Sequence, residues 1–185
     1  MISGKNNNLS LDLKKENNIP ITSFSFLFSE MIQYMLNKSN DEKEFDLEEK
    51  LSSLGYPIGE KILEYCYVYE KNTKRETKIV SMLQFIHNNV WKILFGKQAD
   101  GLQKSTEDDD EYRIIEQSPI TNKYIEVPKN SSTNCAAFIA GIIEGILNSA
   151  DFRCKVSPFF IENNTKTLYI IKFDKDVINR DNKMK

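Results

Sequence analysis

No stretch of the sequence reaches the roughly 18 uninterrupted apolar residues that a membrane span needs, and the opening MISGKNNNLSLDLKKENNIP lacks the continuous apolar core of a secretory signal. These two absences lead to the expectation of a cytoplasmic chain, in which the N-x-S/T sequons at Asn8, Asn37, Asn130 and Asn163 stay unmodified. Positive charge is not in excess either. Twenty-five Lys and Arg against 27 Asp and Glu leave a net charge of -2, so there is no basic field to release counterions from a nucleic acid, and nucleic acid is excluded as a partner.

Cysteine and histidine are equally scarce. Cys66, Cys135 and Cys154 have neither the even number of a disulfide framework nor the spacing of a zinc site, and read as buried thiols. A nucleophile needs a base within hydrogen-bond reach, and His87 is the one histidine, so a cysteine hydrolase built on His87 and Cys135 has no support. Gly55-x-x-x-Gly59 lacks the lysine and hydroxyl residue of a phosphate loop, which leaves no nucleotide site. The acids Glu107, Asp108, Asp109, Asp110 and Glu111 are contiguous, where a calcium loop alternates its ligands, so they read as solvated loop. No catalytic residue, metal or cofactor is assigned.

What is present is a chain of 185 residues, 40% hydrophobic and 28% charged, enough to bury one core. Residues 1–21 are polar and aperiodic and read as a flexible arm, 22–174 as one domain, and 175–185 as a charged tail. Phe24, Leu27, Phe28, Met31, Ile32 and Met35 fall at helical spacing, while Phe26 and Tyr34 spread the apolar surface beyond one stripe. A second helix starts after Asp46, with Glu49 three residues on, and carries Leu47, Leu51 and Leu54 to an expected kink or break near Gly55 and Pro57. Thr73 and Glu76 form a capping box for a third helix, whose core face runs from Ile79 to Leu94 and stops at Gly96.

Beyond a polar stretch from Lys97 to Asp110 the period changes. EYRIIEQ and KYIEV read as short strands, Asn130 or Ser131 caps a helix buried nearly all round over Cys135 to Leu147, and CKVSPFFI with TKTLYIIKF forms a hairpin around Glu162-Asn163-Asn164. The fold class is α+β: N-terminal helices, then short antiparallel strands around a buried helix and a C-terminal β-hairpin. On that buried helix Ala137, Gly141, Gly145 and Ser149 recur every fourth position. The stripe either lets a neighbouring backbone approach closely or borders a cavity for an acyl chain.

The strings LFSEMIQY, LSSLGYPIGEKILE, KRETK, VWKILFGKQAD, EYRIIEQSPITNKYIEVPKN and NCAAFIAGIIEGIL, in this order from Phe24 to Phe173, resemble the small subunits of the transport protein particle (TRAPP), in the subunit 5 branch of that family. The resemblance implies an α/β small-subunit fold and a non-catalytic structural role in a vesicle-tethering complex of ER-to-Golgi transport. The core of that complex serves as exchange factor for a Rab GTPase. It further implies peripheral membrane association at the cis-Golgi and endoplasmic reticulum, and other TRAPP small subunits as partners, above all the type that bears a buried acyl-cysteine. Such subunits pair through their two N-terminal helices, which makes Phe24, Leu27, Phe28, Met31, Ile32, Met35, Leu47 and Leu51 the candidate partner interface. In the acylated sister a cysteine stands four residues before the Arg-Glu-Thr string. Lys71 holds that place here, so acylation there is chemically excluded. The alternative reading is a module that binds an acyl chain or another small hydrophobic ligand.

Overall fold

The computed structural model describes residues 19–38, 46–70, 75–123, 125, 133–161 and 166–184. Its centre is helix α6 (Ala137–Ser149), with ten of its 13 residues buried, Glu144 among them. Such a helix needs cover on every side. On one side lies the long helix α2 (Leu47–Glu70); on another lies the four-stranded antiparallel sheet of β1 (Gly101–Lys104), β2 (Glu111–Glu116), β3 (Cys154–Ile161) and β4 (Lys166–Phe173) in the order β1-β2-β4-β3. The expected α+β class and the C-terminal hairpin are both present, with Cys154 opposite Phe173 and Ile161 opposite Lys166.

Glu144 stays buried because its carboxylate is occupied: Val156 N–H donates to Oε2 at 2.9 Å and Lys155 Nζ to Oε1 at 3.2 Å. That pair of bonds pins β3 to α6. The main core gathers Trp91, Tyr169, Phe152, Ile143 and Ile146 beneath the sheet, while a smaller cluster of Phe28, Ile32, Leu51, Cys135 and Ala137 ties the first helix, α1 (Ile21–Lys38), to the starts of α2 and α6.

Several elements differ from the sequence expectation. α2 does not break at Gly55 but runs on through Pro57. Pro57 and Ser53, whose carbonyl the missing N–H would have met, are both exposed, so the lost bond falls on the solvent side of the helix. The third helix, α3 (Ile79–Phe85), begins later than the Thr73–Glu76 box, and Thr73 lies outside the described residues. Its cap comes from the far end of the chain: Ile79 N–H donates to Asp181 Oδ1 at 2.9 Å. A π-helical turn (Ile86–Val90) links α3 to α4 (Trp91–Phe95), which ends on Gly96 in the left-handed conformation, φ 73°. The expected stop is where the sequence placed it.

Strand β1 falls within the segment read as merely polar. Gly101 there lies against Ile115, whose side chain a Cβ would meet at 3.3 Å, so the close pairing suits glycine. Of the expected strand KYIEV, Lys123 instead ends the short helix α5 (Ile120–Lys123) and Ile125 belongs to no strand, while Tyr124, Glu126 and Val127 lie outside the described residues. So do Asn130 and Ser131. The turn before α6 is held by Asn134, whose Oδ1 accepts from Ala136 N–H at 3.0 Å. The segment read as a charged tail forms helix α7 (Lys175–Lys183), with Val177 buried in the main core. At the other end α1 begins at Ile21, inside the segment read as an arm, and residues 1–18 lie outside the described range.

Candidate interaction surface

The eight candidate interface residues divide sharply. Phe28, Ile32 and Leu51 are consumed by the chain's own small core, and Phe24, Met31, Met35 and Leu47 pack against it half-buried. Leu27 alone of the eight is exposed, at 74%. Phe28 stacks on Phe24 with centroids 5.4 Å apart and tilts against Phe138 of α6 at the same distance, which fixes the face that α1 turns inward. The buried stripe therefore takes Phe28 and Ile32 out of reach of a partner.

The opposite side of α1 is apolar as well. Leu27 and Tyr34, seven residues and two turns apart, share a stripe, with Phe26 beside it 76% exposed. Sequence reasoning noticed Phe26 and Tyr34 but did not place them at the interface. On α2, Leu54, Ile58, Tyr65 and Val68 stand at helical spacing and are also exposed. The expected break at Gly55 hid the continuity of this stripe along α2.

The two helices are held by a glycine crossing. A Cβ on Gly141 would collide with the Ser52 carbonyl oxygen and one on Gly145 with that of Tyr56; conversely, a Cβ on Gly55 or Gly59 would strike the carbonyls of Phe138 or Ile142. Four glycines, two per helix, thus let the backbones of α2 and α6 meet with no side chain between them. Ala137 is buried at one end of the stripe, and Ser149, exposed, lies within 3.5 Å of Glu60 at the other. At Gly141 and Gly145 the backbone of α2 itself fills the stripe.

The remaining candidates do not assemble into a reaction centre. His87, in the π turn, shares a 2.8 Å hydrogen bond with Asn88 Oδ1, whereas Cys135 lies in the turn before α6 among the small-core residues. Burial, reinforced by the charge of Glu48, pushes the Cys135 thiol up to about 11, which works against a thiolate near neutral pH. All three cysteines are buried and none forms a disulfide. In the acidic segment Asp109 pairs with Lys104 and Asp108 with Lys172, while Glu111 is buried against Arg113 rather than solvated. Among the described residues no His, Cys, Asp and Glu gather as metal ligands, and no helix is long and apolar enough to cross a membrane.

A sequence model of the transport protein particle (TRAPP) component family matches residues 24–174. The chain is 52% identical over 173 residues to trafficking protein particle complex subunit 5 of Dictyostelium discoideum, covering 91% of this chain and 92% of that one. It is 39% identical over 164 residues to the human subunit of the same name, covering 88% and 85%. Among solved structures, subunit 3 of the particle from Naegleria fowleri, covalently bound to palmitic acid, superposes with a TM-score of 0.71 at 15% identity, over 84% of this chain and 95% of that one. A profile that spans the helices, the sheet and the hairpin, relatives matched over most of their length and a shared fold agree: the chain belongs to the TRAPP component family.

Proposed function

We propose that this chain is a non-catalytic structural subunit that pairs with a neighbouring TRAPP small subunit, the acyl-cysteine-bearing type in particular, through the outward faces of α1 and α2. The observation that carries the reading is the double apolar surface of these helices. After α1 has buried Phe28 and Ile32 in its own core, Phe26, Leu27 and Tyr34 still face outward, and α2 adds Leu54, Ile58, Tyr65 and Val68. Two adjoining elements that expose large apolar side chains at helical spacing are what a buried subunit contact requires.

In this reading the chain scaffolds a core that acts as exchange factor for a Rab GTPase in ER-to-Golgi transport, and it reaches the cis-Golgi and endoplasmic reticulum membranes as a peripheral part of the complex. Its lack of a phosphate loop fits a role outside nucleotide chemistry. The test is copurification from the cytosol that expresses it, joined to an exchange assay. Other TRAPP small subunits should copurify, and the chain by itself should leave labelled GDP release from a Rab at background. Copurification without any TRAPP subunit, or exchange by the isolated chain, overturns the reading.

A further inference from the structure

The outward stripe of α2 runs Leu54, Ile58, Lys61, Tyr65, Val68, in steps of four, three, four and three residues. That is the spacing of a coiled-coil seam, and Lys61 holds a seam position between the exposed apolar side chains of Ile58 and Tyr65. On α1, Leu27, Glu30 and Tyr34 step by three and four, and Phe26 lies one turn before Glu30. Glu30 therefore stands among the exposed Phe26, Leu27 and Tyr34, and it is the one charged residue between Ile21 and Asn37.

Each apolar stripe thus carries one charge near its middle, of opposite sign on the two helices. Both charged residues are exposed, and neither forms a hydrogen bond or ion pair among the described residues. Glu60, next to Lys61 in sequence, turns instead toward Ser149 of α6, within 3.5 Å. A charge on a solvated helix face costs little, but in a seam it loses its water when a partner closes over it, and an unanswered charge there is strongly unfavourable. An apolar seam interrupted by one charge accordingly favours a partner that sets the opposite charge against it, in the register that does so.

We propose, resting on the pairing through α1 and α2, that Glu30 and Lys61 select the partner. The small subunit that covers these stripes presents a Lys or Arg opposite Glu30 and an Asp or Glu opposite Lys61. The surrounding apolar side chains supply the contact, and the two charges fix its register. A second copy of this chain is the poorer match: where like helices meet across a two-fold axis, Glu30 would approach Glu30 and Lys61 would approach Lys61.

The test measures capture of the full-length chain by the acyl-cysteine-type subunit. Wild type is compared with Glu30→Lys, Lys61→Glu, Glu30→Met and Lys61→Met, and Leu27→Glu serves as the control for the contact itself. All these positions are exposed, so circular dichroism should match wild type throughout. Each charge reversal should weaken capture by roughly tenfold or more, whereas the Met variants, which leave no charge in the seam, should be captured more strongly than the reversals. Single reversals of the charged residues on the partner's two N-terminal helices are then combined with Glu30→Lys and with Lys61→Glu. One partner reversal should restore each, a non-additive rescue that general loss of packing would not give. Wild-type capture of Glu30→Lys and Lys61→Glu, with Leu27→Glu lost, overturns the proposal and leaves the contact standing; so does the failure of every partner reversal to rescue. Wild-type capture of Leu27→Glu as well removes the contact and the proposal together. A wild-type chain that dimerises alone in sedimentation and is split by Lys61→Glu makes a second copy the occupant, which also overturns it.

Discussion

Asp181 Oδ1 accepts the backbone N–H of Ile79 across 102 residues of sequence, so the C-terminal helix supplies the cap for the helix that opens the main core. The first turn of α3 has no side-chain cap of its own from Lys78, and Ile79 is buried, which leaves its N–H without water.

Replacing Asp181 with Ala should therefore cost about 1–2 kcal/mol, as for the loss of an N-cap that also strands a buried donor. Asp181→Asn, which keeps an acceptor oxygen, should recover most of it. Urea unfolding midpoints compare the three proteins; equal midpoints for wild type and Asp181→Ala would show that the contact contributes nothing.

The glycine crossing predicts a steeper penalty. Any side chain at Gly141 meets the Ser52 carbonyl, which belongs to a backbone and cannot rotate away. Gly141→Ala should cost at least the roughly 1–3 kcal/mol of ordinary overpacking, and Gly141→Leu should prevent folding. Gly96 gives the contrast: open space surrounds it, so Gly96→Ala should suffer only the left-handed backbone cost of about 1 kcal/mol. Thermal melts rank the three, and an undisturbed Gly141→Ala melt would contradict the crossing.

On α1 the same substitution should act in opposite ways at neighbouring positions. Leu27→Glu places a carboxylate on an exposed stripe, so circular dichroism should match wild type while capture by the acyl-cysteine-type partner is lost. Phe28→Glu buries the charge between Phe24 and Phe138 and should disrupt the small core itself. Wild-type capture by folded Leu27→Glu and Tyr34→Glu would remove the outward face of α1 from the interface.

Alkaline pH should loosen the same core. Burial, with the charge of Glu48, raises Cys135 in the folded chain to about 11, above the ordinary thiol value of 9.0, so the folded state holds this proton more tightly than the unfolded one. That contribution to stability is complete below about pH 9 and is lost as the pH rises through the folded value near 11. Cys135→Ala should lessen the alkaline decline relative to wild type, read as urea midpoints between pH 8 and 11; an identical decline in both would place its origin elsewhere. Native alkylation of Cys135 near neutral pH should be slow for the same reason.

Elements whose signals are local can be read from the amino-acid order alone. Period 3.6 in Phe24 to Leu36 and in the residues around Ile86, Gly96 as a left-handed stop, alternation on either side of Glu162, and a run with one charge from Cys135 to Leu147 each depend on neighbours a few residues apart, and each element lies where those signals put it. Contacts between residues far apart in the chain settle the rest. Whether Phe28 or Leu27 faces outward depends on where Phe138 and Leu51 stand, and whether small residues on α6 border a cavity or a helix depends on Gly55 and Gly59 more than 80 residues earlier. Pro57 is tolerated inside α2 because packing on α6 outweighs one missing hydrogen bond at a solvated position. Asp181 reads as one more charge in a polar tail until folding brings Ile79 beside it. Local propensity chose the elements; mutual burial chose their faces.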